Sequence, residues 1–131
     1  MQAAIVDDSE VIRDRLCKRL SRLTGVQIAW QAEDAQKAIA AIRQQPPDAV
    51  ILDLHMPGSS GFEVLKKATK ECPHITVIIL TNYALPLLKK RCIKAGADYF
   101  FDKSTEFEKV VAVLKLMLND RGVTTNKGGT R

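Results

Sequence analysis

No apolar run in the chain approaches the roughly 18 consecutive residues that span a bilayer, and the first residues enter an apolar segment without a basic leader or cleavage signal. Both absences favour a soluble protein, with the cytoplasm as the expected compartment. Cysteine is scarce: Cys17, Cys72 and Cys92 are odd in number and spaced for neither a zinc site nor a redox pair. They read as reduced thiols that help pack the protein. Cys72 and His74 do form a C-x-H pair, yet no second pair completes a tetrahedral metal site. A P-loop and a G-x-G-x-x-G turn are both missing, which removes the commonest phosphate-cradling loops. Internal repeats are missing too.

What is present fits one globular domain. The chain has 131 residues, 46% of them hydrophobic and 27% charged, enough for a single sizeable core. Lys and Arg outnumber Asp and Glu by 20 to 15, which permits an acidic partner without identifying one.

Apolar runs alternate with amphipathic stretches. Ala3 to Val6, Val26 to Ala32, Ala49 to Leu54, Ile75 to Leu80 and Tyr99 to Phe101 read as five strands. The third and fourth are almost wholly apolar, the mark of strands buried on both faces in a parallel sheet. Helical stripes lie between them: Ile12, Leu16 and Leu20; Ala35, Ala38, Ile39 and Ile42; Phe62 and Leu65; and Val110, Val111, Leu114 and Leu118. A weaker segment from Leu87 to Ala95 is rich in lysine and ends at Gly96, a suitable helix stop. Turn signals at Gly25, Pro46, Pro47, Pro57 to Gly61, Pro73 and Gly96 keep the connections short. Such alternation predicts a doubly wound α/β sheet with right-handed crossovers and helices on both faces. The domain is expected over residues 1–119. Residues 120–131, Gly- and Thr-rich and without apolar periodicity, are expected to be a disordered tail or a linker stub.

Ligands of doubly wound sheets bind beyond the carboxyl ends of the strands. At those ends stand Asp7 and Asp8, Asp53, Thr81 and Asn82, and Asp102 and Lys103. Three carboxylates about 5 Å apart repel by about 3 kcal/mol per pair at an effective dielectric of 20, so a cation should sit among them. An all-oxygen set favours Mg²⁺ over zinc. A carboxylate facing such an ion can attack phosphorus.

Four segments, IVDDSEVIRDRL, VILDLHMPGSSGFEVL, VIILT and AGADYFFDKS, occur in order and at the spacing of response-regulator receiver domains, and the chain resembles that family from residue 2 to about 119. The resemblance implies the flavodoxin-like strand order 2-1-3-4-5. It implies that Asp53 is the phosphoacceptor, that Asp8 and Asp53 bind Mg²⁺ directly with the backbone carbonyl of His55, and that Asp7 acts through water. Lys103 would be the phosphate partner, Thr81 the hydroxyl that moves toward the phosphoryl group, and Phe100 the aromatic switch residue. His55 and Tyr83 would line the entrance to the phosphoryl group. A histidine kinase would be the donor. The output would be a changed surface on the fourth helix, fifth strand and fifth helix, read by a downstream protein or effector domain or by a second copy of the chain. The chain would thus be a signalling phosphoacceptor catalysing its own phosphorylation and dephosphorylation, with no direct nucleic-acid contact and no membrane association.

Plainer readings exist for each residue. Asp7 and Asp8 could cap the first helix, Asp53 could be a turn acid, Thr81 a strand-end hydroxyl, Lys103 a solvated lysine and Phe100 a core residue; their joint register argues against all but the last. Arg15, Lys18, Arg19 and Arg22 on the first helix read as a solvated face or a kinase-docking face, and Lys66, Lys67 and Lys70 on the third helix as a solvated face. Ser104 follows Lys103 where the family often has proline, which leaves that peptide's geometry open, since a non-proline cis bond costs about 2.5–4 kcal/mol. A rival aspartyl-nucleophile phosphohydrolase would want an acid at position 55, where His55 stands. The remaining alternative is a degenerate receiver serving as a basic binding module.

Overall fold

A computed structural model describes the backbone of residues 1–127 and the side chains of residues 1–120. In chain order the elements are β1 (Gln2–Val6), α1 (Glu10–Leu20), β2 (Gln27–Ala32), α2 (Ala35–Gln44), β3 (Ala49–Leu52), β4 (His55–Met56), β5 (Ser59–Ser60), α3 (Gly61–Glu71), β6 (Thr76–Thr81), α4 (Pro86–Lys94), β7 (Tyr99–Asp102) and α5 (Phe107–Lys127).

The main sheet has five parallel strands in the order β2-β1-β3-β6-β7. With the short β4–β5 hairpin set aside, this is the order 2-1-3-4-5 that the resemblance implies. β3 is buried at every position, as its unbroken AVIL run requires. Its pleat sends Val50 and Leu52 to one face and Ala49 and Ile51 to the other. On the first face they join Ala38 and Ile42 of α2, Val64 and Leu65 of α3 and Cys92 of α4. On the second they join Leu16 and Leu20 of α1 and Val110 and Leu114 of α5. Burying each such aliphatic side chain stabilises by about 1.5–3 kcal/mol.

Three helices start on a side-chain cap. The Ser9 hydroxyl accepts from the Ile12 N–H at 3.3 Å, Asp34 from Lys37 at 2.8 Å and Ser60 from Phe62 at 3.2 Å. α4 starts on Leu85, whose side chain cannot accept a capping hydrogen bond, followed by Pro86 at the first helical position.

The last helix extends through Lys127, beyond the boundary at 119 expected from composition. Propagating a helix anchored by Val110 and Leu114 costs far less than starting one, so a segment without its own apolar stripe can continue it. The last part of the expected tail, 128–131, lies outside the described residues.

Candidate functional site

Parallel register brings the strand ends to one edge: Val6 pairs with Leu52, Leu52 with Ile79, and Thr81 with Asp102. The backbone ladder continues past the strands, with the Asp53 N–H bonded to the Val6 carbonyl at 2.9 Å and the Lys103 N–H to the Thr81 carbonyl at 2.9 Å. Asp53 and Lys103 are thereby held by the sheet's own ladder.

Asp7, Asp53, Thr81 and Lys103 are the buried polar or charged residues among those described, and they form one cluster of strand ends. The Lys103 ammonium donates to Asp7 Oδ2 at 2.7 Å and to Asp53 Oδ2 at 3.3 Å. Asp8 is exposed, and one carboxylate oxygen from each of Asp7, Asp8 and Asp53 lies within 4.8 Å of the others. Burial pushes the Asp53 carboxyl above the usual carboxylate range, reinforced by the charge of Asp7 and opposed by Lys103 and the His55 N–H. Burial by itself would lower the Lys103 ammonium, but its bonds to Asp7 and Asp53 and their charges outweigh it and hold that group above its ordinary value.

Three carboxylates around one ammonium leave two formal negative charges unmatched. The donors are hard oxygens and Asp8 faces solvent, so the set fits a divalent cation such as Mg²⁺ that keeps part of its water shell.

Neighbours hold the cluster in place. Asp7 Oδ1 accepts from the Ser9 N–H at 2.9 Å, and Arg13 donates to the Asp7 carbonyl at 2.7 Å. The His55 N–H donates to Asp53 Oδ1 at 3.3 Å. Gly61 is required by space: a Cβ built there would lie 2.0 Å from the Asp53 carbonyl oxygen. The Thr81 hydroxyl accepts from the Tyr83 N–H at 3.2 Å. Phe100 is 6% exposed and packs in the core beside Ile79 and Cys92, so its ring lies inward.

An open cleft of about 880 Å³ rises over Asp53, rimmed by His55, Met56, Asn82, Tyr83 and Arg91. The His55 and Tyr83 rings meet across it, centroids 4.1 Å apart. The Lys103–Ser104 peptide is trans, like every described peptide bond. Asp102 shapes that turn: its Oδ1 accepts from the Ser104 N–H at 2.8 Å and from the Ser104 hydroxyl at 2.6 Å. Its own N–H donates to Glu106 at 2.9 Å. The bonds from Ser104 hold the Asp102 carboxyl below its ordinary range, the Ser104 hydroxyl contributing most. Sequence reasoning missed this brace and the Arg13 contact. The D-x-S spacing of an Asx turn was the available signal for the first; nothing comparable marked Arg13.

A doubly wound domain with a cation-fitting acid cluster at its carboxyl edge is thus defined by the geometry. The chain belongs to the response regulator receiver domain family, whose model matches residues 3–115. Among curated proteins it is 37% identical over 127 residues to the probable transcriptional regulatory protein TcrX of Mycobacterium tuberculosis, covering 97% of this chain and 53% of that one. It is 38% identical over 113 residues to protein-glutamate methylesterase/protein-glutamine glutaminase 1 of Carboxydothermus hydrogenoformans, covering 85% of this chain and 33% of that protein. The solved signal receiver domain of the putative response regulator NarL from M. tuberculosis superimposes with a TM-score of 0.78 at 28% identity, over 88% of this chain and 94% of that one. The chain spans about half the length of TcrX and of the GacA response regulators that it also matches. It is a receiver domain of two-component signalling.

Proposed function

We propose that Asp53 is the phosphoacceptor of this domain. The observation that carries the proposal is the buried Asp53 carboxylate, 3.3 Å from the Lys103 ammonium and clustered with Asp7 and Asp8 at the mouth of an open cleft. An Asp53 oxygen attacks phosphorus of a phosphohistidine in a histidine kinase, or of a small acyl phosphate. The new O–P bond forms as the P–N or P–O bond to the donor breaks, and the imidazole or carboxylate leaves. Asp8, Asp53 and the His55 backbone carbonyl would hold Mg²⁺, with Asp7 acting through water, and the ion would supply positive charge to offset that of the phosphoryl oxygens.

Lys103 then exchanges its bond to Asp53 for one to a phosphoryl oxygen. The Thr81 hydroxyl, now accepting from Tyr83, turns to donate to another, and Phe100, whose ring already lies inward, repacks beside it. Water attack at the same phosphorus reverses the modification, so the domain catalyses both steps on itself. The altered surface is that of α4, β7 and α5, to which a downstream partner, an effector domain or a second copy of the chain binds. Raising a state from one per cent to half occupancy takes about 2.7 kcal/mol, within reach of one or two charge-assisted hydrogen bonds. No helix among the described residues is long and apolar enough to cross a membrane; we place the domain in the cytoplasm, without direct contact to nucleic acid.

Intact mass after incubation with acetyl phosphate and Mg²⁺ tests the reading. One added phosphoryl group, absent from Asp53→Asn and from an EDTA-treated sample, is the expected result. No addition to folded wild-type protein, together with failure to bind beryllofluoride, would overturn it in favour of a degenerate receiver.

A further inference from the structure

A second groove of about 540 Å³ runs between α3 and α4, lined by Phe62, Lys66, Thr69, Arg91, Lys94 and Ala95. Its charge is one-sided. The α4 sequence PLLKKRCIK has four cations and no acid, and α3 adds Lys66 and Lys70. Among the described residues none of Lys66, Lys70, Arg91 and Lys94 is joined to a carboxylate, whereas Arg19, Lys37, Arg43 and Lys109 each are. Lys66, Arg91 and Lys94 thus stand together in a groove whose lining holds no acid, a charge that an acidic occupant would complement.

The floor of the groove is closed and rigid. The Thr69 hydroxyl donates to the Leu65 carbonyl at 3.0 Å and reaches the Ala95 carbonyl at 3.3 Å. Gly96, at a φ of +112°, lets the chain pass so near that a Cβ there would lie 2.5 Å from the Thr69 methyl. An occupant therefore lies along the groove and does not enter the core. The Phe62 ring is already approached by the Arg91 guanidinium at 5.1 Å and the Lys66 ammonium at 5.8 Å from its centroid.

We propose that the α3–α4 groove is a docking site for an acidic amphipathic peptide segment of a partner protein. Its carboxylates pair with Lys66, Arg91 and Lys94, and an apolar side chain rests against Phe62 and Ala95, the helix-in-groove arrangement with charge added at the rim. Phe62 and Arg91 also line the cleft over Asp53. A bound segment therefore touches two side chains that rim the phosphoacceptor, which links docking to access at that cleft. The groove proposal stands on its own geometry and does not require Asp53 to be phosphorylated.

The test is an NMR titration of isotope-labelled protein with a synthetic helical peptide carrying glutamates on one face and leucines on the other. Amide shifts at Phe62, Lys66, Thr69, Lys94 and Ala95 are expected. Affinity should fall about tenfold in the double variant Lys66→Glu, Lys94→Glu and fall again as salt is raised. That variant should unfold at the wild-type temperature and accept phosphate from acetyl phosphate as the wild type does. Shifts confined to the Arg15 to Arg22 face of α1, or unchanged affinity in the folded double variant, would overturn the proposal. Equal binding of a polyglutamate peptide without leucine would overturn the apolar anchor, and tighter binding of a mixed-sequence oligonucleotide at the same residues would replace the peptide by nucleic acid.

Discussion

The two ends of the cleft are built differently. On the β3 side, Asp53 is held by the Val6 carbonyl behind it, the His55 N–H in front and the close approach of Gly61, and α3 begins on a bonded Ser60 cap. On the β6 side, the chain after Thr81 exposes Tyr83, Leu85 and Leu87, and α4 begins on an uncapped Leu85 with Cys92 as its buried residue. Asp53, the proposed nucleophile, is thus anchored by bonded neighbours on both sides. The segment proposed to respond to it starts its helix without a side-chain cap and exposes large apolar side chains, so it can be displaced at smaller cost. In that reading, chemistry and response fall to neighbouring segments of unlike stiffness.

The contrast can be broken most severely at Asp53. Asp53→Asn should abolish phosphoryl uptake by mass while making the protein more stable, because burial makes ionisation of this carboxyl costly in the fold. The sign follows from its raised folded value: stability is lost as pH rises from the unfolded carboxylate value of about 3.9 through the folded one. The advantage of Asp53→Asn should therefore be near zero at acid pH and full at neutral pH. Urea unfolding across that range measures it.

Gly61→Ala drives a Cβ into the Asp53 carbonyl and should cost about 3 kcal/mol in the same assay, with phosphoryl uptake slowed as Asp53 is displaced. Lys103→Ala leaves Asp7 and Asp53 buried without their ammonium. It should cost about 2 kcal/mol in EDTA, and added Mg²⁺ should restore more stability than it gives the wild type. The smallest effect lies on the loose side. Leu85 already has the extended backbone of an N-cap, φ −80° and ψ 141°, so Leu85→Ser should add the missing cap. Stability should rise by about 1 kcal/mol and hydrogen exchange in α4 should slow. If α4 mobility carries the response, binding of a phosphorylation-dependent partner should weaken in that variant.

The acidic edge was readable because Asp7, Asp53 and Lys103 each end an apolar run, and a doubly wound sheet sends all such ends to one side. Strand order came from the family resemblance, since alternation alone does not choose among crossovers. The β4–β5 hairpin was not readable: its strands are two residues each, and the HMPGSS segment that forms it looks like any turn. Nor was the extension of α5, where the residues after Asp120 lack the periodicity that the helix borrows from its earlier turns. The trans Lys103–Ser104 peptide is braced by Asp102 and Glu106, contacts that need the folded turn to exist.

The backbone bonds that run past the strand ends tie the reactive groups to the completeness of the sheet. Asp7, Asp53, Thr81 and Lys103 come from four strands, the last of them β7, and each is placed by its neighbour's carbonyl or N–H. A chain still emerging from the ribosome, or one whose edge strand has detached, holds its aspartates but not their arrangement. Phosphoryl transfer at Asp53, as proposed above, therefore requires the whole sheet, edge strand included, to be in place.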